Sequence, residues 1–115
     1  MGLFSPGKRI DAQRAAELLA SGAATPLDVR QDIEWKHGDI RGAAHIPLAH
    51  VAQRARQLPN NKTITTVCRS GHRSALAARK LHLAGYQVEN LHGGMKAWAK
   101  AGLPLDPPGG TVLYV

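Results

Sequence analysis

The sequence predicts an α/β domain in which helices cover both faces of a central, mostly parallel sheet of about five strands. Segments with helical periodicity alternate along the chain with short apolar runs of strand length, and this order is typical of a three-layer α/β/α architecture. The length of 115 residues suits one domain, so we predict a single domain over residues 1–115. A hydrophobic fraction of 43% is sufficient for one packed core and too high for a disordered chain.

The helices are predicted where apolar residues recur at helical spacing. Asp11 is a favourable N-cap for the first of them, and Gly22 ends it. Further helices are expected over residues 48–58, 74–84 and 95–101, with one or two helical turns over residues 31–37.

The strands are predicted from short runs of apolar or β-branched residues. The run from Thr63 to Val67 is the strongest of these, because every residue in it is β-branched. The other runs span residues 24–29, 43–47 and 88–91, and residues 111–115 either add a last strand or fray.

Composition excludes several kinds of site. The single cysteine, Cys68, excludes an internal disulfide. The six histidines show no metal-ligand spacing near it, which argues against a zinc site, and we expect no metal or organic cofactor. No run approaches the ~20 apolar residues that span a bilayer, and the start lacks the apolar core of a secretory signal. We therefore expect a cytoplasmic protein without membrane contact, unless a signal peptide has been removed.

The net charge of +7 is unevenly distributed. Residues 1–50 contain six Lys/Arg and six Asp/Glu, whereas residues 51–115 contain nine Lys/Arg and only two Asp/Glu. This excess indicates a solvated basic face, a nucleic-acid surface or a field that attracts anions to an active site. Nucleic acid is not the expected partner, because the chain has no aromatic interleaving and no recognition-helix pattern.

Cys68 follows the predicted strand Thr63–Val67 and precedes a predicted helix. In open α/β sheets, ligands bind beyond the carboxyl ends of the strands, and a helix N-terminus favours anions. Gly71 allows the loop to bend so that successive N–H groups turn inward, and Arg69 and Arg73 add positive charge. A lone cysteine is usually a small buried hydrophobe, but burying this polar cluster would be costly. The residues therefore predict a reactive thiolate in an anion pocket.

Two chemistries use a loop of this kind, and the length of the loop distinguishes them. Cysteine phosphatases separate the cysteine from an arginine by five residues, which makes the loop wide enough for a phosphoryl group. Cys68 and Arg73 are separated by four residues, and Val67 stands where classical tyrosine phosphatases have histidine. A phosphatase or an arsenate reductase is therefore the weaker alternative.

Motifs in four parts of the chain occur in an order typical of one enzyme family. They are Leu27-Asp28-Val29-Arg30; Gly38-Asp39-Ile40-Arg41-Gly42-Ala43 with His45-Ile46-Pro47; Cys68-Arg69-Ser70-Gly71-His72-Arg73-Ser74; and Leu91-x-Gly93-Gly94-Met95-x-x-Trp98 with Gly102-x-Pro104. Together they resemble the rhodanese family of sulfurtransferases over about residues 9–105, with residues 106–115 as a tail. Asp39 and Arg41 depart from the family pattern, and we expect them to alter no more than the rim of the pocket.

The resemblance implies a thiosulfate sulfurtransferase whose catalytic nucleophile, Cys68, carries sulfur as a persulfide. The residues that would bind the substrate are Arg69, Ser70, Gly71, His72 and Arg73. The donor would be a small sulfur anion such as thiosulfate, and the acceptor a cellular thiol or, in an assay, cyanide. A sulfur-relay module that acts on a protein partner is the alternative from another class. A non-catalytic binding domain is not expected while the cysteine is intact.

Five side chains have further predicted roles, and all but His72 lie outside the loop. We interpret Asp28 and Arg30 as a structural ion pair and Trp98 as a core residue. His72 is expected to point to solvent, and Trp35 either lines the mouth of the pocket or packs against the domain.

Overall fold

The computed structural model describes residues 8–113 and places a five-stranded parallel sheet between two layers of helices. The strands are β1 (Lys8–Ile10), β2 (Ala24–Asp28), β3 (Ala44–His45), β4 (Thr63–Val67) and β5 (Val88–Leu91). The helices are α1 (Ala12–Ala20), α2 (Asp32–His37), α3 (Val51–Arg54), α4 (His72–Leu83) and α5 (Gly94–Lys100). The strand order is β1-β5-β4-β2-β3, and every pair is parallel. The predicted fold class is confirmed.

Alternating side chains of the strands form two cores, one on each face of the sheet. In β4, Ile64 packs with residues of α3 and α4, whereas Val67 packs with residues of α1 and α5. The first core also contains Leu27, Val29, Ile46, Val51, Ala77, Ala78 and Leu81, and the second contains Ile10, Ala15, Leu91, Met95 and Trp98. Because side chains in a strand point to opposite faces in turn, the central strand is covered on both sides.

Two predictions about the strands differ from the structure. The fifth strand is β1, which was not predicted, and residues 111–113 do not form a strand; residues 114–115 lie outside the described part. The tail instead binds the segment after α2, since Asp106 and Asp39 form an antiparallel bridge and the Thr111 N–H donates to the His37 carbonyl at 2.8 Å.

The predicted helix over residues 48–58 is α-helical only in α3. Short 3₁₀ turns, Leu48–His50 and Ala55–Gln57, flank it on both sides. Such turns are common at helix ends. None of the helices within residues 8–113 is long and apolar enough to cross a membrane.

The topology places the cysteine at the centre of one edge of the sheet. β4 is the middle strand, and Cys68 follows it directly. Because all strands are parallel, the residues that follow β2 and β5 lie at the same edge, on either side of the cysteine. This edge is the usual ligand-binding position in an open α/β sheet.

Candidate active site

Cys68 begins a short loop between β4 and α4 and is almost fully buried, with 1% of its surface exposed. Its Sγ atom accepts hydrogen bonds from the backbone N–H of Gly71 at 3.0 Å and from the hydroxyl of Ser74 at 3.2 Å. Gly71 has a φ of 113°, a conformation that favours glycine, and this turn directs its N–H back toward the sulfur. The strand-to-helix position and the inward N–H predicted from the sequence are both present. Two donors aimed at one sulfur stabilise negative charge on it.

The start of α5 fixes the backbone at the beginning of the loop. The N–H of Met95 donates to the carbonyl of Cys68 at 2.8 Å, and the N–H of Lys96 donates to the carbonyl of Arg69 at 3.0 Å. Gly94 makes this approach possible, because a Cβ atom there would lie 2.3 Å from the Cys68 carbonyl oxygen and 2.6 Å from that of Arg69. The carbonyl groups of the first two loop residues are therefore bound by α5 and turned toward it.

A buried polar chain holds the centre of the loop. The side-chain amide of Asn90 in β5 donates to the carbonyl of Gly71 at 3.2 Å, and the Thr66 hydroxyl donates to the Asn90 Oδ1 atom at 3.2 Å. The Ser74 hydroxyl also lies 3.3 Å from the Gly71 carbonyl, but its single hydrogen can be donated to only one acceptor at a time. Thr66 and Asn90 were not identified from the sequence. The available signal was an asparagine inside a strand, where asparagine is depleted.

The side chain of Arg73 forms a two-point ion pair with Glu34 of α2. Its Nη1 and Nη2 atoms lie 2.5 and 2.8 Å from the two carboxylate oxygens of Glu34. One of those oxygens also accepts the N–H of Gln31 at 3.1 Å, as in a helix capping box. The hydrogen bond to Arg73 is the main cause that holds the pKa of Glu34 below its ordinary value of 4.5, against the opposing effect of burial. Glu34 was not identified from the sequence.

This ion pair changes the interpretation of Arg73. Its guanidinium was expected from the sequence to add positive charge for a bound anion, but a buried carboxylate compensates that charge. The same pair raises the pKa of Arg73, chiefly through the hydrogen bond to Glu34. Arg73 therefore remains protonated and connects the start of α4 to α2. Its role in substrate binding stays a prediction.

The remaining loop residues face an open depression of about 390 Å³. Ser70 and His72 are exposed and Arg69 is partly exposed, so His72 points to solvent as predicted. The lining consists of Gln31, Ile33, Glu34, Arg69, Ser70, His72 and Arg73. Within the described residues, no group of three or more His, Cys, Asp or Glu side chains is placed to hold a metal ion.

A second polar cluster lies buried at the end of β2. Arg30 donates to both carboxylate oxygens of Asp28, with an Nη2–Oδ2 distance of 2.7 Å, and to the Gly38 carbonyl at 2.7 Å. The predicted structural ion pair is confirmed. Asp39 lies 3.7 Å from Arg30, and burial together with the neighbouring Asp28 raises the pKa of Asp39 to about 8. Neither Asp39 nor Arg41 lines the depression beside the loop, and their effect on the rim of the pocket stays a prediction.

The two tryptophans serve packing. Trp98 is buried in the second core, as predicted, and its indole N–H donates to the carbonyl of Pro104 at 2.8 Å. Trp35 stacks on the imidazole of His45 with ring centroids 4.7 Å apart and does not line the depression.

Comparisons with known proteins agree with the predicted family and fold. A sulfurtransferase of Allochromatium vinosum is 36% identical over 103 residues, which cover 88% of this chain and 96% of that protein. An HTH-type transcriptional regulator of Mycobacterium tuberculosis is 38% identical over 105 residues, but the match covers 87% of this chain and only 46% of the regulator. The crystal structure of a rhodanese-related protein from Thermoplasma volcanium has a TM-score of 0.80 and 30% identity, over 85% of this chain and 96% of that one. The model of the rhodanese-like domain matches residues 11–101, and the chain therefore belongs to the rhodanese-like domain family.

Proposed function

We propose that this protein is a sulfurtransferase that moves sulfane sulfur from thiosulfate to a thiol through a persulfide on Cys68. The observation that carries the proposal is the pair of donors, the Gly71 N–H and the Ser74 hydroxyl, that converge on the Cys68 sulfur at 3.0 and 3.2 Å. The name of the Allochromatium relative, which this chain matches over 96% of that protein's length, supports the same reaction class.

The reaction is a double displacement. The Cys68 thiolate attacks the outer sulfur of thiosulfate, the sulfur–sulfur bond of the donor breaks, and sulfite leaves with the bonding electron pair. An acceptor thiolate, or cyanide in an assay, then attacks the outer sulfur of the persulfide. The bond to Cys68 breaks, and the thiolate is restored with its electron pair. No proton, oxidant or reductant has to be supplied by a further group.

The loop supports both steps without a bound ion. The two donors stabilise the anionic sulfur before transfer and the charge that develops on it during transfer. Arg69 lies at the edge of the depression, and the excess of cations over residues 51–115 attracts a dianionic donor.

Phosphoryl transfer fits this geometry less well. A loop arginine in that chemistry has to contact the phosphoryl oxygens, but two nitrogen atoms of Arg73 are occupied by Glu34. The loop also has only four residues between Cys68 and Arg73. We therefore expect no appreciable hydrolysis of an aryl phosphate under conditions in which thiosulfate is turned over.

Mass spectrometry after exposure to thiosulfate tests the proposal directly. We expect an added mass of one sulfur atom, about 32 Da, on Cys68 that a reductant removes. Cys68→Ser should show no adduct and no thiocyanate formation with cyanide, while circular dichroism reports an unchanged fold. Turnover retained in Cys68→Ser, or phosphatase activity that depends on Cys68, would overturn the proposal.

A further inference from the structure

The hydroxyl hydrogen of Ser74 has two acceptors within reach. The Ser74 Oγ atom lies 3.2 Å from the Cys68 sulfur and 3.3 Å from the Gly71 carbonyl oxygen. A hydroxyl has one hydrogen, and the sulfur of an uncharged thiol accepts it only weakly. Whether this hydroxyl favours the thiolate therefore depends on whether the competing carbonyl is already occupied.

The Gly71 carbonyl is occupied by two other donors. The Ala75 N–H donates to it at 3.1 Å as the first hydrogen bond of α4, and the side-chain amide of Asn90 donates to it at 3.2 Å from β5. A carbonyl oxygen has two lone pairs, so these two bonds use its full capacity as an acceptor. The hydrogen of Ser74 finds no free lone pair there and remains available to the sulfur. Because the Ala75 donor belongs to the helix backbone, Asn90 is the donor that a side chain supplies.

The neighbouring strand orients Asn90 for this contact. Asn90 and Thr66 are register partners on the parallel strands β5 and β4, so their side chains emerge next to each other. The Thr66 hydroxyl donates to the Asn90 Oδ1 atom at 3.2 Å, and the NH₂ group of the amide is then directed at Gly71. Thr66 is 0% exposed and Asn90 5%, so water competes little for either bond. A buried asparagine in a strand is costly unless it is hydrogen-bonded, and here both ends of its amide are.

From these contacts we propose that Asn90, held by Thr66, is a positioning residue that reserves the hydroxyl hydrogen of Ser74 for the sulfur of Cys68. This inference rests on the proposed function and concerns how its nucleophile is prepared. In the double displacement, negative charge lies on the Cys68 Sγ atom before the donor is attacked and returns to it when the acceptor takes the outer sulfur. The Ser74 hydroxyl stabilises that charge at both points. Asn90 acts through Ser74, because its own amide donates to the carbonyl.

A double-mutant cycle with Ser74→Ala tests this dependence. Asn90→Leu, which is of nearly the same size, frees one lone pair of the Gly71 carbonyl, and the Ser74 hydrogen should turn to it. Stopped-flow loading with thiosulfate should then slow about fivefold. In a protein that already carries Ser74→Ala, the same substitution should slow loading by less than about twofold, because the hydrogen to be redirected is gone. If Asn90 only stiffened the loop, its loss would slow loading equally in both backgrounds, and that result would overturn the proposal.

The ultraviolet absorbance of the thiolate gives a second readout, which needs no turnover. Cys68 is the only cysteine of the chain, so the absorbance that Cys68→Ser lacks reports this sulfur alone. In a pH titration it should appear at a higher pH in Asn90→Leu than in wild type, because the thiolate has lost a donor. The same substitution should cause no such difference in the Ser74→Ala background. Identical titrations of wild type and Asn90→Leu would contradict the proposal.

Substitutions in β4 test the same contact without changing Asn90. Thr66→Val removes the donor to the Asn90 amide and should alter loading and absorbance in the same direction as Asn90→Leu, whereas Thr66→Ser keeps the hydroxyl and should behave like wild type. Thr65→Val is the matched control, because Thr65 is also buried but its hydroxyl has no hydrogen-bond partner among residues 8–113. It should leave both readouts unchanged.

Equal losses in Thr66→Val and Thr65→Val would overturn the positioning role, even if Asn90→Leu does not fold. Absence of a sulfur adduct on Cys68 in the wild-type protein would instead overturn the proposed function, and the thiolate absorbance would still decide the role of Asn90.

Discussion

Replacement of Glu34 by glutamine tests whether the ion pair with Arg73 holds the active loop against α2. Glutamine has nearly the same size, and its oxygen can still accept the Gln31 N–H that caps the helix. It cannot match both nitrogens of Arg73, because its NH₂ group would face one of the guanidinium donors that now lie 2.5 and 2.8 Å from the carboxylate. The substitution therefore removes charge and one hydrogen bond while leaving the packing in place.

Burial sets the expected size of the effect. Removal of one partner from a fully buried pair costs about 3–5 kcal/mol, and an exposed pair contributes about 1 kcal/mol or less. The Glu34 side chain is 3% exposed but that of Arg73 is 32% exposed, so the arginine left behind can turn partly toward water. We expect Glu34→Gln to lower the free energy of unfolding by about 2 kcal/mol, between these limits.

The free energy of unfolding is measured by urea titration at neutral and at acidic pH, with Glu17→Gln as the control. Glu17 pairs with Arg14 at 2.8 Å, but both side chains are more than half exposed, at 65% and 61%, so its loss should cost less than about 0.5 kcal/mol. Because Arg73 holds the pKa of Glu34 below 4.5, the charged carboxylate stabilises the fold above that pH. This stabilisation is lost as the pH falls through the lower pKa of the folded state.

The difference in stability between wild type and Glu34→Gln should therefore be large at neutral pH and shrink in acid. Iodoacetamide should also alkylate Cys68 faster in the variant, because a loosened loop exposes a thiol that is now buried. A stability loss no greater than that of Glu17→Gln, or one that is the same at both pH values, would refute the argument from the ion pair.

Three further substitutions probe other parts of the site. Gly94→Ala should lower the free energy of unfolding by about 3 kcal/mol or more and slow persulfide formation. Gly102→Ala is the control, because Gly102 has a similar positive φ but nothing lies within 4 Å of its Cβ position. This control should lower the free energy of unfolding by only about 1 kcal/mol. Ser74→Ala should slow persulfide formation by about tenfold, and Ala at the exposed Ser70 should have little effect, as stopped-flow loading with thiosulfate can show. Burial and the neighbouring Asp28 raise the pKa of Asp39 from 3.8 to about 8, so the wild-type protein should lose stability as the pH rises through this range. Urea unfolding should give a flatter pH dependence for Asp39→Asn, and parallel curves would contradict the assigned pKa.

The fold could be predicted where a segment carries its own periodic signal. The β-branched run of β4 and the alanine- and leucine-rich α4 are clear in the sequence, and both occur close to their predicted positions. β1 could not be found in this way, since Lys8-Arg9-Ile10 has one apolar residue and pairs only with β5 at an edge of the sheet. Edge strands need little hydrophobic pattern, because one side of the ladder remains unpaired.

The same distinction applies to the residues of the site, some of which are close in the sequence and some of which only the fold brings together. Cys68, Gly71 and Ser74 are neighbours in the sequence, so one strand, one turn and one helix start place them together. Glu34 and Asn90 reach the loop only through the topology, from 39 and 19 residues away from their partners Arg73 and Gly71. No local sequence pattern predicts contacts between residues so far apart in the chain. Glu34 has a local role as the N3 residue of a capping box, and this role gives no indication of its second partner, Arg73.

The pairing of Arg73 with Glu34 also affects how charge on the sulfur is stabilised. A guanidinium bound at two points by a carboxylate presents little net charge to its surroundings, because the opposite charge lies beside it. The groups that contact the sulfur are neutral dipoles, the Gly71 N–H and the Ser74 hydroxyl. They are held by a backbone that α5 and Asn90 fix, so they need little reorganisation during a reaction. In the proposed cycle the thiolate and the persulfide each carry one negative charge, first on the inner and then on the outer sulfur. A loop of fixed dipoles suits that small displacement of charge, whereas a phosphoryl dianion would need the guanidinium that Glu34 already binds.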